Sequence, residues 1–384
     1  MSTYTPETGD MDIIFAGGGT AACVAAGRLA KANPDLKILL VEGGRNNFQD
    51  PTVTNPAVFL SHLAPDSTTA LFYKANPSPH LNNRSAIVPQ GGILGGGSSI
   101  NFMMYTRAQG LDFDSWATEG WSAADMLPVC KKLETYHLEG EKTDQSKHGH
   151  DGPVHVSYGG YSGKSQIAFA ETLEGMGHRM IEDLQDFEEV GGFSKWARYV
   201  SLDGKRQDAA HCYIHPLLES KAYPNLHILV ETKVIRVLFD ESSPPRAVGI
   251  EYKTNEEHTP TIALSKPISK TVRASKLVVL TAGALGTPQI LERSGVGNPE
   301  ILKPLGIPVV VDLPGVGEEY QDHNLLLYPY KTTLGPEESL DGILSGRKDF
   351  VKAIGEKDPM LGWNGVDLCA KLRPTDAEVA ALGP

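Results

Sequence analysis

The sequence predicts a mixed α/β fold in which a nucleotide-binding unit of the Rossmann type is joined to a second unit. Residues 12–16 form an apolar run, followed by a glycine turn, helix-forming residues 21–31 and a second apolar run at 37–41. A further apolar run at 276–283 ends on glycine, as strands do at the ligand-binding edge of a parallel sheet. The chain has 384 residues. One hydrophobic core supports roughly 250–300, so we expect two packed units.

The turn after the first strand carries the spacing G-x-G-x-x-A. Gly17 permits the tight turn, and Gly19 lets backbone N–H groups at Thr20 and Ala21 approach a pyrophosphate at the positive end of the helix. Glu42 ends the second strand, where a carboxylate accepts hydrogen bonds from a ribose diol and repels a 2′-phosphate. The unit therefore favours FAD or NAD over NADP, and the motif alone does not separate FAD from NAD.

Composition and charge exclude several classes of protein. Hydrophobic residues make up 40% and charged residues 21% of the chain, and no apolar run reaches the length of about 18 residues that a membrane span needs. Residues 1–10 are too polar for a secretory signal, so we expect an intracellular protein, cytoplasmic or peroxisomal, rather than a secreted one. The net charge of −12 makes nucleic acid an improbable partner.

Cysteine and histidine spacing predicts no metal site. The four cysteines form no C-x-x-C pair. His148 and His150 lie close together, but no third ligand is near them in the sequence, so we expect them in a solvated loop.

The rest of the chain predicts elements of three kinds. Residues 45–88, rich in Asn, Pro, Ser and Asp, are expected to form an irregular wrapping segment. Helices are expected near residues 116–138 and 166–176. An antiparallel meander is expected from three apolar runs, residues 225–230, 233–238 and 247–252.

Glycine-rich segments beyond the first turn carry a resemblance to a known family. Residues 283–297, GALGTPQILERSGVG, resemble the second signature of the glucose-methanol-choline (GMC) oxidoreductases, flavoenzymes that oxidise alcohols. Residues 94–101, LGGGSSIN, resemble the first signature, and residues 313–323 contain a third segment of the family pattern. Within the family, residues 76–82 and 99–107 look particularly like the methanol oxidases of fungi.

The resemblance implies FAD as the cofactor and adds residues to its site. Gly97 and Ser98 would let the backbone lie against the flat isoalloxazine ring, and Asn101 would lie at the flavin. The main chain of Val234 would meet the adenine. A turn cap is the alternative for Asn101, and an ordinary strand residue is the alternative for Val234.

Two further parts of the site are implied by resemblance alone. Ala282 and Gly283 would close over the cofactor near Glu42. Phe102 would narrow the substrate cavity and favour small alcohols, with a core aromatic as the alternative role.

The resemblance also implies a domain division and a reaction. Residues 10–158 and 225–325 would form the FAD-binding domain, and residues 159–224 and 326–384 would form a partial substrate-binding domain of the GMC type. A small primary alcohol would pass a hydride to the flavin, with oxygen as acceptor, in a possible homo-oligomer. The family's catalytic histidine is expected beyond Pro384, so no catalytic residue is assigned within this chain. A noncatalytic flavin-binding protein and an NAD-dependent dehydrogenase are the competing interpretations.

Overall fold

The computed structural model describes residues 4–5, 9–256, 268–323, 325–335, 338–374 and 376–383, so Pro384, the boundary of the expected catalytic segment, lies outside the described residues. The strands are β1 Met11–Ala16, β2 Ile38–Val41, β3 Ala70–Lys74, β4 Ile87–Gly91, β5 Glu134–Tyr136, β6 Val154–Val156, β7 Gly192–Lys195, β8 Leu226–Leu229, β9 Thr232–Phe239, β10 Ala247–Thr254, β11 Lys270–Leu280, β12 Val296–Gly297, β13 Val311–Asp312 and β14 Leu368–Lys371. The α-helices are α1 Thr20–Ala32, α2 Pro51–Thr54, α3 Gly97–Ile100, α4 Gly110–Asp114, α5 Ala123–Leu133, α6 Lys164–Gly175, α7 Ala209–Tyr213, α8 His215–Ser220, α9 Gly283–Arg293, α10 Pro299–Leu302, α11 Asp341–Leu344, α12 Phe350–Glu356 and α13 Asp376–Ala381.

The chain divides into two compact units. The first unit comprises Met1–Asp50, His62–Ile100 and Asp208–Lys331, and the second comprises Pro51–Ser61, Asn101–Gln207 and Thr332–Pro384. These boundaries differ from the predicted ones chiefly at residues 101–158, which group with the second unit. The assignment of FAD binding and substrate binding to separate domains stays a prediction. No described helix has the length and hydropathy needed to cross a bilayer.

A six-stranded sheet in the order β8-β2-β1-β11-β10-β9 organises the first unit. β1 pairs in parallel with β2 on one side and with β11 on the other, and β11 continues into an antiparallel ladder with β10 and β9. The central strands β1 and β2 are almost wholly buried, as expected of parallel strands covered on both faces. The mixed α/β fold with a Rossmann-like unit is therefore confirmed.

The predicted meander is wrong in one strand. β8 does not join β9 and β10; it pairs in parallel with β2 at the far edge of the sheet, with Ile38 opposite Leu226. β9, β10 and β11 form the meander instead. Alternating apolar residues identify a strand but not its neighbour, because the partner is chosen by long-range packing.

Two other predicted segments are also corrected. Residues 45–88 are not wholly irregular, because β3 and β4 form an antiparallel hairpin with Ala70 opposite Gly91. The helix expected over residues 116–138 is restricted to α5, where the Ser122 side chain accepts a hydrogen bond from the Asp125 N–H and caps the first turn.

A buried ionic cluster in the second unit overturns the expectation for His148. Only 1% of His148 is exposed, and its ring lies between Glu134 Oε1, 3.2 Å from Nδ1, and Asp183 Oδ2, 2.8 Å from Nε2. Burial lowers the His148 pKa, but hydrogen bonds to the two carboxylates outweigh burial, so the pKa is raised. His150 is exposed, as expected of a solvated loop. Among the described residues no group of three or more potential ligands is placed to hold a metal ion.

Candidate functional site

A cavity of about 880 Å³ lies in the first unit at the carboxyl ends of β1, β2 and β11. Its volume is in the range expected of a site for a large organic ligand. The N-terminal residues of α1 line part of this cavity. Residues from several segments of the first unit line it, namely segments 17–21, 41–44, 70–73, 90–97, 232–234 and 280–293 together with Asn255.

Most of the cofactor residues predicted from the sequence line this one cavity. They are Gly17, Gly19, Thr20, Ala21, Glu42, Gly97, Val234, Ala282 and Gly283. Ser98 is not among the lining residues; its Oγ donates to the Gly95 carbonyl at 2.7 Å and accepts from the Ala209 N–H at 3.0 Å. The Ser98 side chain therefore holds the second glycine segment, and its contact with the cofactor stays a prediction.

The remaining two predicted residues, Asn101 and Phe102, belong to the second unit. Asn101 Oδ1 accepts from the Met103 N–H at 3.0 Å and from Arg206 Nη1 at 2.9 Å. The Phe102 ring packs edge-on against Phe59, with ring centroids 4.5 Å apart. These contacts fit the alternatives considered from the sequence, a turn cap and a core aromatic, and neither residue is among those that line the cavity. The flavin role of Asn101 and the substrate role of Phe102 stay predictions.

The first glycine turn is shaped by close backbone approach. Gly17 has a φ of +113°, and a Cβ on it would lie 2.5 Å from the Thr281 carbonyl oxygen. A Cβ on Gly18 would lie 2.7 Å from a methyl group of Leu40 and 2.9 Å from Glu42 Cβ, so a larger residue would displace these side chains, a constraint that the sequence motif did not indicate. Gly19 differs, because the nearest atom to its Cβ would be 3.7 Å away. The space above Gly19 is therefore open to a ligand.

The start of α1 offers hydrogen-bond donors to this space. No side chain caps the helix at Gly19, and the Cys23 N–H makes a helical bond back to the Gly19 carbonyl at 3.0 Å. The N–H groups of the first turn have no acceptor within a helix, and the helix dipole makes this end positive. An anionic group such as a pyrophosphate fits such an end.

The Glu42 carboxylate lines the cavity and connects the first glycine turn to the turn that follows β2. Its Oε2 accepts from the Gly18 N–H at 2.7 Å, and its Oε1 accepts from the Gly44 N–H at 2.8 Å. Only 8% of the residue is exposed, and burial raises its pKa to about 6, although the backbone N–H bonds act in the opposite direction. Each carboxylate oxygen has a further lone pair with which to accept a hydrogen bond from a ligand hydroxyl.

Three residues that sequence reasoning missed also line the cavity. Gly44 packs so closely on the Gly92 backbone that no Cβ fits, a constraint signalled by the Gly-Gly pair after Glu42. Gln90 donates through Nε2 to the Ala282 carbonyl at 3.0 Å, and Asn255 donates to the Gly43 carbonyl at 2.9 Å. No sequence signal marked the two amides, because their partners are distant in the chain.

Comparison with known proteins places this geometry in a family context. The pattern of the GMC oxidoreductases matches residues 11–325. The alcohol oxidase of Candida boidinii is 40% identical over 377 residues, which cover 97% of this chain and 55% of that protein. The alcohol oxidase of Pichia angusta is 39% identical over 379 residues, again 97% of this chain and 55% of that protein. The chain thus spans about half the length of these relatives.

Solved structures show the same fold. A crystal structure of formate oxidase from Aspergillus oryzae, from a study of FAD modification, superposes with a TM-score of 0.75 over 95% of this chain and 62% of that chain, at 23% identity. An FAD-dependent oxidoreductase from Chaetomium thermophilum superposes with a TM-score of 0.69 at 30% identity, covering 80% of this chain and 51% of that chain.

Proposed function

The chain belongs to the GMC oxidoreductase family, with FAD as its cofactor, and from this premise we propose that the cavity of the first unit holds FAD for the oxidation of a small primary alcohol. The observation that carries the proposal is the convergence of predicted cofactor residues from five separate segments on one cavity of about 880 Å³. The groups that line the cavity fit the parts of the cofactor. The uncapped N-terminus of α1 suits a pyrophosphate, and the buried carboxylate suits hydroxyl groups. The glycines leave room for a ring to approach the backbone.

Each part of the site is proposed to hold a different part of the cofactor. The N–H groups at Thr20 and Ala21 bind the pyrophosphate, and Glu42 accepts hydrogen bonds from the ribose diol. The main chain of Val234 meets the adenine, Gly97 lies against the isoalloxazine, and Ala282 and Gly283 close over the cofactor near Glu42. The placement of these residues around one cavity supports the assignment.

The proposed reaction is a two-electron oxidation. When bound, FAD would supply the two-electron acceptor for conversion of the alcohol to an aldehyde, with oxygen as the final acceptor giving hydrogen peroxide. The names of the yeast relatives support an alcohol as substrate. The protein must provide a base within hydrogen-bond reach of the substrate hydroxyl.

A second candidate function is flavin binding without turnover. One observation favours it: among the described residues that line the cavity there is no histidine. We accordingly assign no catalytic base to these residues. The two candidates share the cofactor site and differ in whether an alcohol reduces the bound flavin.

Self-association is a further part of the proposal. Residues 325–330 form a run in which Leu325, Leu326 and Leu327 are each more than 70% exposed. Contiguous apolar surface of this kind is typical of protein–protein contacts, which supports a homo-oligomer.

A visible absorption spectrum of the purified 384-residue chain tests the proposed function, with flavin released by denaturation to count cofactor per chain. Near-stoichiometric FAD supports the site, whereas a colourless, soluble and folded protein that takes up no added FAD overturns it. Anaerobic addition of methanol or ethanol then separates the two candidates. Loss of flavin colour supports oxidation, and an unchanged spectrum supports binding without turnover. Retention of NAD instead of a flavin would support a nicotinamide-dependent dehydrogenase.

The affinity for FAD is expected to fall below pH 6. Glu42 has a pKa of about 6, raised from 4.5 by burial. Hydroxyl donors from the ribose favour its charged form, so FAD binding must expel the proton at lower pH, and the dissociation constant rises by up to about tenfold per pH unit. In the cofactor-free protein the sign is opposite: the native state binds the proton more tightly than the unfolded chain, so stability declines as pH rises from about 4.5 through 6.

Titration of FAD binding between pH 4.5 and 8 by fluorescence checks this expectation, with Glu42→Gln as the control. The amide does not titrate, so the variant should bind more weakly at pH 8 and show no slope around pH 6. An equal slope in the variant would assign the pH dependence to another group.

A further inference from the structure

A buried polar cluster lies behind the second glycine segment of the first unit. Its members are Asn47, Ser99, Asp208 and His215, and each is at least 97% buried. They come from the loop after β2, from α3, from the residue before α7 and from the start of α8. None of them lines the cavity, and none carries a role in the proposed reaction.

The hydrogen bonds around Asn47 have defined directions. Asp208 accepts only, so the Asn47 amide must turn its Nδ2 toward Asp208 Oδ1, at 3.0 Å, and toward Ser99 Oγ, also at 3.0 Å. Its Oδ1 then accepts from His215 Nε2 at 2.7 Å. Ser99 Oγ donates onward to the Leu94 carbonyl at 2.8 Å. Asn47 thus contacts all three other members of the cluster.

The cluster holds the glycine segment in the place where it borders the cavity. The Gly95 N–H donates to the Gly18 carbonyl at 2.8 Å, and the Leu94 N–H donates to the Arg45 carbonyl at 3.1 Å. Gly96 and Gly97, the next residues along the chain, line the cavity. Ser99 therefore closely follows the lining segment, and its side chain is tied to Asn47.

We propose that Asn47 is a positioning residue of the cofactor site: through Ser99 and Asp208 it fixes the glycine segment 95–97 at the distance from the first glycine turn that bound FAD requires. The inference rests on the proposed function, since it assigns a role in FAD binding. Asn47 does not touch the cavity. Substitution of Asn47 would act by shifting the backbone of residues 95–97. These residues are all glycines, so no side chain of the segment could restore the contact with the cofactor.

Asn225 provides a matched control within the same unit. It is also buried, and its Nδ2 is also a donor, lying 3.1–3.2 Å from the carbonyl oxygens of Ala30, Asn33 and Leu36. These bonds join the end of α1 to the start of β2, away from the residues that line the cavity. Asn→Asp replaces the donating Nδ2 by an oxygen that faces acceptors, the Asp208 carboxylate at position 47 and three carbonyls at position 225. Both variants should therefore lose stability, but only Asn47→Asp should disturb the glycine segment.

The experiment compares FAD dissociation constants of the full-length wild type, Asn47→Asp, Asn225→Asp and the milder Ser99→Ala, at a temperature where circular dichroism shows all of them folded. Hydrogen exchange of the cofactor-free proteins is followed for peptides that cover residues 94–99. We expect about tenfold weaker FAD binding in Asn47→Asp, a smaller change in Ser99→Ala and an unchanged constant in Asn225→Asp. Exchange at residues 94–99 should be faster in Asn47→Asp and Ser99→Ala only.

Two results separate failure of the inference from failure of the proposed function. Equal FAD affinity in wild type, Asn47→Asp and Ser99→Ala overturns the positioning role and leaves the FAD site intact. A folded wild type that binds no FAD overturns the proposed function, and the exchange data then decide the structural role: equal exchange at residues 94–99 in Asn47→Asp and Asn225→Asp overturns it as well.

Discussion

Gly17→Ala is expected to weaken FAD binding by about 100-fold or more, which corresponds to about 2.7 kcal/mol. The φ of +113° is unfavourable for alanine, and the new Cβ would lie within 2.5–2.7 Å of backbone atoms of Thr281 and Ala282. Neither Gly17 nor Thr281 can move alone, because hydrogen bonds hold both. The Gly17 N–H donates to the Val41 carbonyl at 2.8 Å, and the Thr281 hydroxyl donates to the Gly17 carbonyl at 2.8 Å. The clash therefore displaces two segments that line the cavity together.

Gly306→Ala is the matched control for this prediction. Gly306 also has a positive φ, +70°, but a Cβ added to it would meet no described atom within 4 Å, and it does not line the cavity. The substitution should cost about 1 kcal/mol of stability through backbone strain alone and leave FAD affinity unchanged. Isothermal titration with FAD and thermal unfolding of both variants give the comparison. If Gly17→Ala binds FAD within about threefold of wild type, the turn is not a cofactor contact.

The first glycine turn is the part of the candidate site whose geometry the sequence predicts best, and the reason is local. Gly17, Gly19 and Glu42 lie within one strand-turn-helix-strand unit whose geometry is set by short-range backbone rules, so spacing alone places them. All three line the cavity. The same rules also predict β1, α1 and β2 to within one or two residues.

Residues whose partners are distant in the chain escape prediction. Asn47 donates a hydrogen bond to Asp208, and Asn255 donates one to the Gly43 carbonyl. The two members of each pair are far apart in the chain, so no short stretch of sequence contains both. The neighbours predicted for β8 are wrong for the same reason, since β8 pairs with β2 and the whole of segment 101–207 lies between the two strands in the chain. Hydrophobic periodicity indicates which face of a helix or strand is buried, but it does not indicate which distant residues pack against that face.

Burial of charged groups is the other property that the sequence does not reveal. Polar neighbours in the sequence predict a solvated His148, yet its ring is buried between the carboxylates of Glu134 and Asp183 inside the second unit. Its partner Glu134 begins β5 directly after the amphipathic helix α5 and gives no sign in the sequence of being a buried anion. Composition describes average polarity and does not show whether charged groups are buried and paired with one another.

Glu134→Gln is expected to destabilise the second unit by about 3–5 kcal/mol. Glu134 is 1% exposed and accepts from the Tyr105 hydroxyl, from Arg107 Nη2 at 2.6 Å and from the Gly149 N–H at 3.0 Å. An amide can present only one acceptor oxygen, so its NH₂ group must face one of these donors. Arg107, whose side chain is 5% exposed, would at the same time lose its buried counter-charge. Urea unfolding followed by hydrogen exchange in peptides of the second unit measures the loss.

Glu188→Gln separates burial from charge in this test. Glu188 also pairs with a cation, Lys147, at 2.5 Å, but 71% of its side chain is exposed. Water solvates both partners once the pair is broken, so little stability should be lost and the loss should shrink with added salt. The Glu134→Gln loss should persist at high salt, because the cluster is closed to ions. Equal losses in the two variants would mean that the second unit relaxes around residue 134 and that the cluster does not hold it together.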